Sequence, residues 1–449
     1  LAEKAAELPS ISRVPVRHAA RTLQNKRCAA KAHLLRFRVS MNQAAATAKK
    51  ISVDQLKPGM YVTQLDCDWF SHPFLTSSFL VKTDHDVNRV RESGTRYLFI
   101  DPKRGIDVQD APTVREARAA AQAAMLKVAD KPVERPRTTS FEEENAAARK
   151  IYSEAQRLVA QTMSDVRLGK QVELNQIEPL VEKVTDSIFR NKNALQSMNL
   201  LKQADDYTFQ HSVSVCTLMV SFARHMDFDP KLVHQLGLGG LLHDIGKAFT
   251  PNEVLNKPGA LTKEEFDVMK NHVTDGYRML VQNPDVGPIP LAICHEHHER
   301  TDGTGYPRKI GRDQITQWGK MAAVVDVYDA ITSERVYHRG MTPTDALRKI
   351  YEWSEHHFER SLVEAFMRCV GIYPTGSLVL LESGRLAVVL EQNETQLLKP
   401  RVRAFYSTRS QLYITPVDID LARSGTSDRI LRHEDPHKWN VAPSRFMNT

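Results

Sequence analysis

Between residues 141 and 224 apolar side chains recur every three or four positions, the spacing of one helix face. Ile177, Leu180, Val181, Val184 and Ile188 trace one such stripe. Ser140 followed by Glu143 is a capping box that opens the first long helix. Val215, Leu218, Met219 and Phe222 mark the buried side of a helix over 211–225. A further helix is predicted to carry Leu241, Leu242, His243 and Asp244, with Lys247 four residues after His243 so that one face presents both. Residues 290–298 and 320–333 continue the helical pattern. Facing helices project side chains inward, so residues 140–370 are predicted to form a helical bundle.

The pattern changes on both flanks. Residues 51–102 read as a small mixed α/β domain. Lys57-Pro58-Gly59-Met60 signals a turn before a strand at Tyr61–Leu65, Phe79-Leu80-Val81 and Tyr97–Ile100 are two more short apolar runs, and 84–93 reads as a helix. Residues 103–139 read as a linker with a helix over the Ala-rich Val114–Val128 and extended chain through Pro132 and Pro136. From Gly371 the segments 377–381 and 386–390, joined by Glu382-Ser383-Gly384, predict a β-hairpin, and 403–414 further strands. The polar stretch from Asp428 onward is expected to be loose, so 371–449 is a short C-terminal β extension and tail. The predicted class is therefore mainly α, with a small mixed domain before the bundle and strands after it.

At 449 residues the chain has room for roughly two to four domains. Its net charge of +7 says little about the folded body: residues 1–40 hold nine basic and two acidic side chains, which leaves the remainder formally neutral. A nucleic-acid partner is therefore not indicated. The 1–40 tract, Arg-rich and loosely like a transit peptide, reads either as a basic disordered tail or as an extension upstream of a start at Met41. No apolar run reaches the roughly 18 residues of a membrane span, and a continuous apolar segment of a secretory signal is absent at the N-terminus. Cys28, Cys67, Cys216, Cys294 and Cys369 are scattered and form no C-x-x-C, as expected of free thiols in a reducing cytoplasm. There is no P-loop, no dinucleotide-binding glycine fingerprint and no nucleophile elbow.

The chemistry is concentrated in six islands between Gln210 and Tyr337. These are His211-Ser212, His243-Asp244-Ile245-Gly246-Lys247, His272, His297-His298-Glu299-Arg300, Asp302-Gly303-Thr304-Gly305-Tyr306-Pro307 and Asp326-Val327-Tyr328-Asp329-Ala330. Imidazole with carboxylate is a ligand set for Fe, Mn or Zn, whereas Mg and Ca prefer oxygen. Five histidines and two aspartates are too many for one ion. They suit two metals that share a bridging carboxylate, an arrangement that hydrolyses phosphate esters.

Over residues 204–339 these islands resemble the HD-GYP family, a branch of the HD phosphohydrolases that cleaves cyclic di-GMP in bacteria. The His243-Asp244 doublet, the Gly305-Tyr306-Pro307 signature and the connecting segment 256–262 with Glu264 and Glu265 carry the resemblance. It implies one metal on His211, His243, Asp244 and Asp326, and a second on Asp244, His272, His297 and His298, with Asp244 bridging. Iron or manganese is the family expectation, and the residues leave zinc open. Part of the family has a glutamate four residues before the first ligand histidine, which allows a third metal. Tyr207 stands there in this chain, which favours two. Asp244 and Lys247 are the implied catalytic residues, Lys247 as a cation for the phosphoryl oxygens. Asp302, Gly305, Tyr306 and Pro307 form the implied substrate loop, with Tyr306 offering a ring to a base. Arg335, in Arg335-Val336-Tyr337, is the implied phosphate ligand. Beside these, Asp329 reads as a supporting carboxylate and Cys294 as a small buried hydrophobe, and His295 stands outside the ligand set.

The expected activity is hydrolysis of cyclic di-GMP to pGpG and onward to GMP. The alternatives are a weakly active receptor or scaffold that docks a diguanylate cyclase, and a hydrolase of another cyclic dinucleotide. A domain like 51–102 often precedes such bundles, and regulation or homodimer formation is expected of it.

Overall fold

The computed structural model describes residues 48–66, 78–129, 139–198, 207–333 and 340–447. The chain divides into two compact units, Leu1–Arg118 and Ala119–Thr449. The expectations for residues 1–40 and for the extended chain at Pro132 and Pro136 lie outside the described residues.

In the first unit β1 (Lys49–Ser52), β2 (Tyr61–Leu65), β3 (Phe79–Leu80) and β4 (Tyr97–Ile100) form an antiparallel sheet in the order β1-β4-β2-β3. Side chains alternate across a strand, so Leu98 and Ile100 point into the core while Tyr97 and Phe99 remain half-buried. Helix α1 (Asp84–Glu92) starts at a Thr83–Asp86 capping box and lays Val87 and Val90 on Ile51, Val62, Leu98 and Ile100. Helix α2 (Val114–Val128) runs across the division between the units.

The second unit is built on helices α3 (Phe141–Arg167), α4 (Leu174–Met198), α5 (Tyr207–His225), α6 (Pro230–Leu242), α7 (Asn252–Leu255), α8 (Lys263–Leu280), α9 (Pro288–Glu296), α10 (Gln317–Thr332), α11 (Pro343–Trp353) and α12 (Arg360–Val370). Ser140 and Glu143 cap α3 reciprocally, and the stripe from Ile177 to Ile188 is buried as its spacing requires. Among the described residues no helix is long and apolar enough to cross a membrane.

One helix ends earlier than its pattern predicts. Helix α6 stops at Leu242 with His243 as its cap, Asp244 leaves helical geometry at φ −101° and ψ 10°, and Ile245–Phe249 winds as a 3-10 turn. His243 and Lys247 therefore do not share one face of a continuous α-helix. The turn tightens where Gly246 meets the backbone of α8. A Cβ there would lie 1.9 Å from the His272 carbonyl oxygen.

After α12 the strands β5 (Leu378–Leu381), β6 (Arg385–Glu391), β7 (Arg401–Ser407), β8 (Leu412–Asp420) and β9 (Ile430–His433) form an antiparallel sheet in the order β8-β7-β6-β5-β9. One face, with Val379, Leu381, Ala387, Val389, Val402 and Ala404, joins the core of the helices. The other, with Leu378, Leu380, Leu386, Val388, Leu390 and Phe405, closes over Val441 and Met447 in a small core of its own. The segment from Asp428 is therefore not loose. Strand β9 pairs with β5, and Asp428 accepts from the Ser383 amide and from Arg385, both at 3.0 Å. Its polar composition belongs to an edge strand, whose side chains face solvent while its backbone completes the sheet. Helix α4 breaks at Asn191 (φ −157°, ψ 101°), and the Asn191 amide donates to Glu391 at the end of β6.

Helices α5 and α10 are locked together by aromatic packing. Phe366 of α12 is fully buried edge-on against Phe222 of α5, at 5.4 Å between ring centroids, and Tyr328 of α10, at 5.2 Å. Phe366→Ala is expected to cost about 3–5 kcal/mol. Thermal unfolding of the metal-depleted protein measures this as a lowered midpoint.

Candidate metal centre

Five elements deliver the candidate ligands. Helix α5 carries His211, the end of α6 carries His243 and Asp244, α8 carries His272, the cap of α9 carries His297 followed by His298, and α10 carries Asp326. Two groups result. Asp244, His272, His297 and His298 converge on one point, and His211, His243 and Asp326 on another.

The rings are oriented by their outer nitrogens. A carbonyl oxygen only accepts, so it identifies the ring nitrogen that bears hydrogen. Nδ1 of His243 donates to Gly240 O at 2.8 Å, Nδ1 of His272 to Met269 O at 2.7 Å, and Nδ1 of His297 to Cys294 O at 3.0 Å. That leaves each Nε2 with a lone pair turned inward. His243 Nε2 lies 3.3 Å from His211 Nε2, and His272 Nε2 lies 3.5 Å from His297 Nε2. Lone pairs facing each other so closely require cationic charge between them.

Asp244 supplies the negative charge to both groups. Its Oδ2 lies 3.3 Å from His243 Nε2 and 3.5 Å from His211 Nε2, while its Oδ1 lies 3.2 Å from His272 Nε2 and 3.8 Å from His297 Nε2. The carboxylate is buried, and Oδ1 accepts no hydrogen bond. Asp326 Oδ1 sits 2.9 Å from His211 Nε2, and its Oδ2 sits 3.7 Å from His298 Nδ1. Burial would raise Asp244, but His243 and Lys247 beside it hold its carboxyl well below the usual carboxylate range. Burial likewise opposes charge on His243, yet Asp244 and Asp326 push that ring up to about 10, so a proton and a metal ion compete for the same inward nitrogen. Burial drives His297 far down and His298 to about 3, so these two rings stay neutral and able to ligate. A buried, under-coordinated carboxylate amid inward lone pairs fits divalent metal ions in both chemistry and placement.

Lys247 pairs with Asp244 Oδ2 from the 3-10 turn. Tyr306 stacks on His298 at 4.6 Å and 30°, and its amide donates to His298 O at 3.1 Å. Gly305 lies against the chain itself, where a Cβ would come within 2.5 Å of the Arg300 amide nitrogen. The Tyr306–Pro307 bond is cis. Asp302 accepts from the Thr304 amide and hydroxyl at 3.0 and 2.6 Å, shaping the loop. Arg335 lies outside the described residues, as does the Tyr207 side chain. His295 stacks on Tyr277 at 4.1 Å and belongs to neither group, and burial pushes the Cys294 thiol up, as suits a buried apolar role.

Two carboxylates flanking the histidine doublet had no role in the sequence reading. Glu296 pairs with Arg308 at 2.6 Å and accepts from the Thr316 amide and hydroxyl at 2.9 and 2.6 Å. Glu299 accepts from the amides of Arg308 and Ile310 at 2.7 and 3.2 Å. Together they anchor the loop that carries Tyr306. Their symmetric positions around His297-His298 were the available signal. Asp329 accepts from His211 Nδ1 at 2.8 Å and so orients a candidate ligand.

This fold and site define a metal-binding HD domain. The HD domain description matches residues 195–362, and a domain of unknown function, DUF3391, matches residues 48–177. A cyclic di-GMP phosphodiesterase of Pseudomonas aeruginosa is 42% identical over 393 residues, covering 87% of this chain and 93% of that protein. A 3'3'-cGAMP-specific phosphodiesterase of Vibrio cholerae is 34% identical over 154 residues, 34% of this chain and 36% of that one. An HD-GYP-type protein of Bdellovibrio bacteriovorus with a solved structure aligns with a TM-score of 0.42 at 17% identity, covering 71% of this chain and 98% of that one. The chain belongs to the HD-GYP family of HD-domain phosphodiesterases.

The contact between Gly246 and α8 sets where His272 stands relative to Asp244. Gly246→Ala forces the two backbones apart and is expected to destabilise the protein by about 1–3 kcal/mol. It should also lower bound metal per chain, read by elemental analysis alongside chemical denaturation.

Proposed function

We propose that this protein is a metal-dependent phosphodiesterase that hydrolyses cyclic di-GMP to pGpG and then GMP, using two divalent ions, iron or manganese. The carrying observation is the Asp244 carboxylate, with one oxygen facing His211 and His243 and the other facing His272 and His297. In this reading one ion is held by His211, His243, Asp244 and Asp326, and the other by Asp244, His272, His297 and His298, with Asp244 shared. Divalent ions held in this way supply, when bound, a nucleophile from water at neutral pH and a clamp on the phosphoryl oxygens.

The chain's own groups do the rest. Asp244 and Asp326 set the negative charge of the centre, and the outer N–H of each oriented ring keeps its inner nitrogen a donor to metal. Lys247, at the edge of the centre, is the cation we assign to the phosphoryl oxygens. Tyr306, whose ring stacks on the candidate ligand His298, is the residue we assign to a guanine base. Arg335 is the phosphate ligand proposed from its place in the sequence. Buried free thiols at Cys216, Cys294 and Cys369 accord with a reducing, cytoplasmic setting.

The relative specific for 3'3'-cGAMP supports a second reading, in which another cyclic dinucleotide is the preferred substrate. Both readings are tested by chromatography of products after anaerobic incubation of the Mn(II)- or Fe(II)-loaded protein with cyclic di-GMP and 3'3'-cGAMP. The expected result is pGpG or GMP from cyclic di-GMP, and no product from the His243→Ala/Asp244→Ala variant. Faster turnover of 3'3'-cGAMP would favour the second reading, and no product from either would overturn both. Lys247→Ala is expected to lower kcat about 10²-fold or more. Metal content measured on the same samples separates that loss from loss of the ions.

A further inference from the structure

The outer nitrogens of the ligand rings are not treated alike. His243, His272 and His297 each donate Nδ1–H to a backbone carbonyl. His211 donates Nδ1–H to the Asp329 carboxylate at 2.8 Å, in a pair buried on both sides. Asp329 sits one helical turn beyond Asp326 on α10, so the helix that offers a ligand also offers the group that orients a neighbouring one. The Ser333 hydroxyl donates to the Asp329 backbone carbonyl at 2.7 Å and lies 3.5 Å from Oδ2 at the end of the same helix. A full negative charge on the outer side of an imidazole makes its inner nitrogen a stronger donor than a carbonyl does.

The two groups also differ in charge. Besides the shared Asp244, one holds His211, His243 and Asp326, and the other holds three imidazoles from His272, His297 and His298. The first would therefore offer its ion one more carboxylate, and Asp329 adds another behind His211.

We infer that Asp329 makes the two metal positions unequal, so that the His211–His243–Asp326 position takes up its ion first and more tightly, with Asp329 as its positioning residue. This rests on the two-ion reading above and adds an order of filling. At limiting metal the protein holds a single ion on that side, and the His272–His297–His298 side fills only as metal rises.

The test is a titration of the metal-depleted full chain with Mn(II), with free ion read by electron paramagnetic resonance. Two classes of binding are expected in the wild type. Asp329→Asn should weaken the tighter class about 10–100-fold and leave the weaker class unchanged. His272→Ala should remove the weaker class and keep the tighter. In a His211→Ala background, Asp329→Asn should change nothing further, because the ring it acts through is gone. Superposable isotherms for wild type and Asp329→Asn would overturn the inference, and so would equal weakening of both classes. If Asp329→Asn does not fold, Asp329→Glu keeps the charge on a longer arm. It should weaken the tighter class selectively by a smaller factor, and the absence of that selectivity overturns the inference. A wild type that binds one ion defeats the two-ion reading. The inference then still requires that ion to weaken in Asp329→Asn and to survive His272→Ala.

Discussion

The structure depends on one buried carboxylate. Removing Asp244 from water is expensive unless opposite charge surrounds it, because an ionised group in a low-dielectric interior loses its hydration. Here four imidazoles and one ammonium face its two oxygens. To put it there the chain stops a helix at Leu242, tightens into a 3-10 turn and brings Gly246 against the backbone of α8. No side chain larger than hydrogen fits at that approach. The local conformation of one segment and the position of His272, twenty-eight residues after Asp244, are thus a single constraint.

The same economy governs the approach to the centre. Histidines 297 and 298 end a helix, and the glutamates on either side of them turn away to hold the following loop by its amides and by Arg308. Tyr306 then returns to the His298 ring. A loop tied in this way to the residues of the candidate metal centre holds the Tyr306 ring at a fixed distance from it, which favours orientation over adaptability. Behind this layer, Phe366 holds together the helices that carry His211 and Asp326, so the core and the centre are coupled through aromatic packing.

The C-terminal sheet is part of that core and not an appendage. Its alternation sends one face into the helices and closes the other over the chain's last described residues. Asn191, at the break in α4, meets Glu391 from β6. The similarity to the Pseudomonas aeruginosa relative covers most of both chains, consistent with the bundle and its flanking elements being retained together.

By itself the sequence determined the types of the candidate ligands, the helical class, three of the four strands in the first unit, with β1 (Lys49–Ser52) missed, and the hairpin that opens the second sheet. These follow from side-chain identity and short-range periodicity, which are properties of neighbouring residues. Tertiary structure alone decided what depends on segments meeting across the fold. Gly246 against α8 ended the helix before Asp244, and pairing with β5 made a strand of the polar segment at Ile430. Contacts within the fold likewise gave Glu296 and Glu299 their role in anchoring the loop. The division of one carboxylate between two sets of histidines was decided there too. So was the acceptor behind His211, since Asp329 reaches that ring only once α5 and α10 have packed, whereas Gly240, Met269 and Cys294 lie three residues before their histidines and are available within each helix.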